Sequence, residues 1–411
     1  LLGDCRSDCE FCLSLYDLNE QKCISESFVF CWNRKDHSWS SRSCRALFKD
    51  LGAKEFPSIP PSSKDHRILL CVRVARFGPI ESSSTLKKQV EQISSQSFAR
   101  QPYAAGIIEL TDLFSRPLGS QEYMIPLNRE FTLDQLIPKM NAAYWSNSLK
   151  PSNTESTEGL LISAKVFIGS LQSTKKAHPY IFSLNPPVEL QKMTFADVIS
   201  ADEARNDVYI TLVQADFHGI KMSDANIEAR ISALDADGAV QDCVEITTAE
   251  GTQRKSTYHS LVFYHEDKPK WNETVKIVIP EDFQRDMHLR ITFHLKKSYD
   301  KSKQEKGPFA LAFVRILEDA TFIKDDFHDL LVYRVDPGKF NAKDTTYLRY
   351  PSVRRELGVI PQYRSLAASY SLVEKHSVII FSATCSTALT HNKNLLSILR
   401  WKTNQTDLKT R

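Results

Sequence analysis

Glycine is scarce in this 411-residue chain, with only 13. Loops that cradle phosphates with bare backbone need glycine at fixed offsets, and neither G-x-x-x-x-G-K-[ST] nor G-x-G-x-x-G occurs. The nucleophile-elbow pattern G-x-S-x-G and the zinc-protease pattern H-E-x-x-H are absent as well. The 11 histidines are scattered, with no i, i+4 pair. His288 and His294 fall in a strand pattern, where structural contacts are the plain reading. No run reaches the roughly 18 uncharged apolar residues that a membrane-spanning helix needs. An excess of one charge is also lacking. The 53 Lys+Arg against 50 Asp+Glu leave +3, too little to coat nucleic acid by bulk charge, so nucleic acid is not an expected partner. Any recognition of phosphates must come from local patches.

What is present reads as folded protein: 42% hydrophobic, 10% aromatic and 25% charged residues, enough to bury a core in each of two or three domains. The chain starts Leu1-Leu2 with no basic segment and apolar core behind it, so it reads as a fragment or processed piece without a signal peptide. Seven of nine cysteines fall early: Cys5, Cys9, Cys12, Cys23, Cys31, Cys44 and Cys71, with Cys243 and Cys385 far away. Cys9 and Cys12 form a C-x-x-C, but no second close pair or His pair follows at finger-like spacing. Cys12, Cys31 and Cys71 lie in strand-like apolar runs, where reduced cysteine acts as a small hydrophobe. The thiols are expected to be structural, and no metal or cofactor is expected.

The periodicity is that of strands. Phe11–Tyr16, Arg67–Arg76 and Leu160–Ile168 are rich in aliphatic, aromatic and β-branched residues and bounded by turn residues such as Gly78-Pro79 and Gly159. Pro57 to Ser63 and Asn147 to Glu158 read as loops. Texture changes at about 185–205, and strands then follow quickly: Asp207–Gln214, Ile227–Leu234, Tyr258–Tyr264, Thr274–Ile279, His288–His294, Phe309–Val314, Leu330–Tyr333 and Ser377–Thr384. Many short strands with turns between them predict an antiparallel sandwich. Asp235-Ala-Asp-Gly238 reads as a hairpin turn rather than the start of a calcium loop, because the later acidic ligands are missing. Near Asn392 or Asn394 the apolar spacing of Leu395, Leu396, Ile398 and Leu399 predicts an amphipathic helix.

The candidate site is the charge in the loops of the second sandwich. Lys296, Lys297, Lys301, Lys303 and Lys306 crowd one inter-strand segment, while Arg254-Lys255 and Lys268-Pro-Lys270 punctuate two other loops. Alternate connections of an antiparallel sandwich emerge at one end, so such loops can gather into a basic rim suited to an anionic head group. The plain alternative is a solvated surface that keeps the protein soluble.

Arg205 to Phe217, reading Arg-Asn-Asp-Val-Tyr-Ile-Thr-Leu-Val-Gln-Ala-Asp-Phe, resembles the opening strand of the C2-type lipid-binding domain of the dedicator-of-cytokinesis (DOCK) proteins. Lys268–Lys276, Leu289–His294, Phe309–Val314 and His328–Tyr333 resemble later parts of that domain in order. Cys385–Asn392 and Leu395–Trp401 resemble the lead into the family's helical-repeat region. Leu13–Tyr16, Ile24–Glu26 and Leu47–Gly52 resemble the preceding C2-like region. The resemblance implies a piece of a guanine nucleotide exchange factor for Rac-type GTPases, with exchange activity and the ELMO-binding region outside this chain. It implies a cytoplasmic protein recruited to plasma membrane rich in phosphatidylinositol 3,4,5-trisphosphate. It also implies head-group contacts by Lys221, Lys268, Lys270, Lys296 and Lys297, looser surface contacts by Lys301, Lys303 and Lys306, and a secondary basic loop at Arg254 and Lys255. The first loop in Rac-directed members supplies several lysines to the pocket. Here His218–Ala225 holds one, Lys221.

The expected fold is therefore all-β: two consecutive antiparallel β-sandwich (C2-like) domains and a short C-terminal helix. The expected spans are 1–190, a linker at 191–204, the lipid-binding domain at 205–388, and the start of the helical region at 389–411. The chain itself is expected not to be an enzyme. The rival reading is a protein-interaction scaffold that binds through an edge strand or the 392–401 helix. Chemistry at the N-terminal thiols is a distant third, since no low-pKa thiol sits beside a base in the pattern.

Overall fold

A computed structural model describes residues 8–41, 44–49, 51, 67–80, 98–115, 119–141, 159–183, 185–193, 204–221, 225–280, 285–297, 306–357, 370–387, 390–392, 394–395 and 398. The loops expected at 57–63 and 147–158, Cys5, Lys301, Lys303 and most of the C-terminal segment lie outside them. Among the described residues of that segment, Asn394, Leu395 and Ile398 are helical. The chain divides into two compact units. The first comprises Leu1–Gly78, Arg100–Val198 and Ile246–Gln253, and the second Pro79–Ala99, Ile199–Glu245 and Arg254–Arg411. The fold is all-β, C2-like and mostly antiparallel.

In the first unit, β1 (Asp8–Asp17) lies between β2 (Phe28–Asn33) and β3 (Ile68–Pro79), and β4 (Phe98–Glu109) follows β3. Both neighbours of β1 run antiparallel to it, with Phe11 opposite Phe30 and Val74. Strict alternation along β1 sends Cys9, Phe11, Leu13 and Leu15 to one face. There they meet Phe28, Phe30, Leu70, Val72 and Val74. Phe11 stacks on Phe30 at 5.2 Å, and Trp39 caps both rings edge-on. The other face is covered by α2 (Leu133–Asn141), whose Leu136 packs with Leu69, Cys71 and Ile107. A short α1 (Thr111–Ser115) precedes the hairpin of β5 (Gln121–Pro126) and β6 (Gly159–Ala164), and α3 (Leu171–Ala177) follows it.

The expected strand Leu160–Ile168 stops at Ala164. Its ladder partner Gln121 is the first residue of β5, so nothing remains for Lys165 to pair with. The helices were not expected. Yet Thr132 and Gln135 form a reciprocal start, with Thr132 N–H donating to the Gln135 side chain and Gln135 N–H to the Thr132 carbonyl. That is a start signal visible in sequence.

Among the described residues, the cysteines are free thiols. Cys9 and Cys12 occupy opposite faces of β1, Cys9 buried and Cys12 not, so the C-x-x-C does not converge. Cys71 is buried as expected, but Cys31 is exposed. Full or partial burial pushes the thiols of Cys12, Cys23 and Cys71 up, and that of Cys243 to about 12. Such thiols are poor nucleophiles at neutral pH.

The second unit is a sandwich. One sheet orders β14 (Asp326–Leu330), β15 (Ser377–Ser386), β7 (Asn206–Asp216), β11 (Lys270–Val278) and β9 (Val244–Thr248). The facing sheet orders Tyr258–His259, β8 (Ile227–Asp235), β12 (Met287–Leu295), β13 (Ala310–Glu318), Tyr333–Arg334 and Ser371–Leu372. β11 alternates cleanly, with Trp271, Glu273, Val275 and Ile277 inward. β12 is buried on both faces up to His294. Trp271 and Phe293 meet between the sheets with rings 6.5 Å apart.

The turn at Asp235–Gly238 forms as expected. The Asp235 carboxylate accepts the amides of Asp237 and Ala239, and Gly238 takes φ +82°. Two strand expectations need correction. Tyr258–Tyr264 pairs only over Tyr258–His259, because Leu261 N–H donates to buried Glu273 and Trp271 Nε1–H takes the Leu261 carbonyl. This pulls the segment out of the ladder. Leu330–Tyr333 is the crossing between sheets, with Leu330 ending β14 and Tyr333 starting the opposite-sheet strand.

Candidate functional site

Register alone brings three connections of the second unit to one end. Ile227 pairs with Leu295, Phe293 with Ala310, Gln214 with Lys270 and Asp216 with Ser377. The segments 217–226, 260–269 and 296–309 therefore start and finish side by side. Backbone bonds fasten them: Phe217 N–H to Asp267, Glu266 N–H to Ala225 and Lys296 N–H to Asn226.

Asn226 is the tie between all three. It is 2% exposed. Its carbonyl oxygen accepts His265 N–H at 3.0 Å and its amide donates to the Lys296 carbonyl at 3.1 Å. At the start of the first segment Phe217 meets the rings of Phe293 at 4.8 Å, Phe309 at 5.5 Å and His376 at 5.5 Å. His376 Nε2 donates to the His218 carbonyl at 3.1 Å, which holds the first loop down from a fourth segment. Neither Asn226 nor Phe217 carries charge, so a search for basic residues passes over both.

The expected cations divide into two groups. Lys221, Lys270, Lys297 and Lys306 are exposed, and none has an ion pair among the described residues. Lys268 is exposed but bridges Asp216 at 2.9 Å, and that carboxylate raises its pKa. Lys296 differs most: its side chain is 10% exposed and its ammonium lies 3.4 Å from Glu228. Glu228 also receives Arg230 at 2.7 Å and His259 at 3.5 Å. Burial works to raise the Glu228 pKa, but His259, Lys296 and Arg230 together hold it at about 2. Lys296 is thus a counter-ion inside the wall, while adjacent Lys297 faces solvent. Lys301 and Lys303 lie outside the described residues. Arg254 and Lys255 are not in a loop, as the spacing implied, but in strand β10 (Gly251–Lys255). The turn falls earlier, where Gly251 takes φ +117°. Arg254 lies 3.6 Å from Glu245.

The loop end thus holds exposed lysines beside Lys268 and Lys296, which are already neutralised by Asp216 and Glu228. Among the described residues, no group of three or more His, Cys, Asp or Glu could hold a metal ion.

Two family models match the chain: the DOCK N-terminus over residues 2–196, and the C2 domain in Dock180 and Zizimin proteins over 201–394. Among curated relatives, Dedicator of cytokinesis protein 3 of Mus musculus is 30% identical over 414 residues, covering 96% of this chain and 19% of that protein. Dedicator of cytokinesis protein 4 of Homo sapiens is 30% identical over 409 residues, with the same two coverages. The chain therefore spans about a fifth of the length of these relatives.

Proposed function

The chain belongs to the dedicator-of-cytokinesis family, and from that premise we propose that it is a membrane-targeting segment of an exchange factor for Rac-type GTPases. Its second unit binds phosphoinositide head groups, phosphatidylinositol 3,4,5-trisphosphate first among them, and recruits a cytoplasmic protein to the plasma membrane. Exchange chemistry and the ELMO-type adaptor contact belong to other parts of the longer protein. The observation that supports this is the loop end, where Lys221, Lys297 and Lys306 on two of the segments tied by one buried asparagine, and Lys270 at the start of β11, are exposed and have no ion pair among the described residues. Lys221, Lys270 and Lys297 serve as the main phosphate ligands in this reading, and Lys306 with Lys301 and Lys303 as surface contacts. Lys268 reaches phosphate by exchanging Asp216 for it. Lys296 serves the pocket by anchoring the third loop to Glu228.

Each lysine near an anionic leaflet adds about 1 kcal/mol, screened by salt. The test is vesicle co-sedimentation of the full chain carrying Lys270→Glu and Lys297→Glu. Binding to trisphosphate-containing vesicles should drop by at least about tenfold, as two reversed charges require. Unchanged binding would remove the loop end from the account.

A further inference from the structure

The first unit carries a second surface, which owes nothing to the loop end or to the lipid reading. Four large apolar side chains stand out in solvent there: Met124 at 57% exposed, Leu161 at 61%, Ile168 at 82% and Tyr180 at 65%. Met124 and Leu161 are direct partners across the β5–β6 ladder, so they form one patch. β5 and β6 make a sheet of only two strands, which leaves the outer edge of β6 unpaired among the described residues. Beyond Ala164 the chain continues through Lys165–Ile168 without a ladder and lines a cleft of about 580 Å³. Ser173, Thr174 and Ala177 of α3, with His178, line it too. The Phe167 ring lies 5.1 Å from that of His178.

Among the described residues, Lys165 is the one lysine in the lining of the cleft. Lys165 stands 5.1 Å over the Phe167 ring. Neither Lys165 nor Lys176 has a carboxylate partner among the described residues, whereas nearby Lys175 is taken by Glu189 at 2.9 Å. An open strand edge, an apolar cleft at its end and a lysine in its wall with no carboxylate partner among the described residues are three complementary demands on one ligand.

We propose that this edge and cleft dock an extended segment of a partner protein that carries an aliphatic side chain between acidic residues. The segment adds as a third strand along β6, its backbone satisfying the unpaired edge. Its aliphatic side chain enters the cleft against Phe167 and Ile168, and its carboxylates meet Lys165 and Lys176. A second copy of this chain fits less well, since a symmetric contact would set the same lysines against each other.

The test is selection of a phage-displayed random dodecapeptide library on the immobilised full chain, with Ile168→Asp as the counter-target. Because Ile168 is almost fully exposed, its replacement leaves the fold intact, which circular dichroism checks. Enrichment of peptides with an aliphatic residue flanked by Asp or Glu is expected. Synthetic versions should bind at least about tenfold more weakly to Ile168→Asp and to Lys165→Glu/Lys176→Glu, and should slow amide exchange in 159–168. No enrichment, enrichment of basic peptides, or binding that survives both variants would overturn the proposal. So would sedimentation showing a dimer of the unmodified chain that Ile168→Asp dissolves, which would give the cleft to a second copy.

Discussion

Lys296 and Lys297 are neighbours in sequence, yet their environments give them opposite tasks. Lys297 is exposed, so Lys297→Glu should leave the thermal midpoint nearly unchanged while weakening vesicle binding. Lys296→Gln removes a counter-ion from a carboxylate that is 4% exposed. It should lower stability to chemical denaturation by about 1–3 kcal/mol, with loss of binding following from that loosening. Acid titration gives a second check at this scale. His288 is buried against Tyr347, with which it shares a 2.7 Å hydrogen bond. Burial, then Arg290 and Arg315, lowers its pKa to about 4. The unfolded chain therefore takes up this proton first as pH falls below about 6.5. The stability that His288 contributes is complete above that value and lost as pH falls through about 4. Denaturation midpoints measured between pH 7 and 4 should decline, and His288→Gln should flatten part of that decline. Glu228 acts lower, its contribution present above about 4.5 and lost as pH falls toward about 2.

At the scale of elements, Asn226 is the residue on which the loop end depends. Asn226→Ala leaves two backbone groups, His265 N–H and the Lys296 carbonyl, without their partner. Amide exchange should quicken at His265 and Lys296 by roughly tenfold or more, as a loss of about 1–3 kcal/mol of local stability requires. Vesicle binding should weaken although no charge has changed. Much of this architecture was legible in the sequence. β7, β8, β12 and β15 each contain the run of aliphatic and aromatic residues that announced them, because burial on one or both faces leaves a period-2 or continuous apolar pattern. Among the basic residues, Lys221, Lys268 and Lys297 lie between strands as expected, whereas Arg254 and Lys255 lie in β10. Other features were not legible, and the reason is physical. Tyr258–Tyr264 looks like a strand, but its pairing is ended by Glu273 and Trp271, which reach it from the next strand. Nothing local in Lys296-Lys297 says which lysine meets Glu228, since that contact is made by the register of β8 against β12. The role of Asn226 is likewise written in tertiary hydrogen bonds rather than in its neighbours.

At the scale of the whole molecule, the central claim is that the chain carries an address for anionic membrane. No helix among the described residues is long and apolar enough to cross one. The +3 net charge makes general attraction weak, and the proposed selectivity rests on the loop end of the second unit. The most direct measurement is co-sedimentation of the full chain with neutral vesicles and with vesicles containing phosphatidylinositol 3,4,5-trisphosphate, across a salt series. The account predicts binding that needs the trisphosphate lipid, falls steadily with salt, and is abolished by Lys270→Glu with Lys297→Glu. Absence of binding at low salt, or equal binding to neutral vesicles, would contradict it.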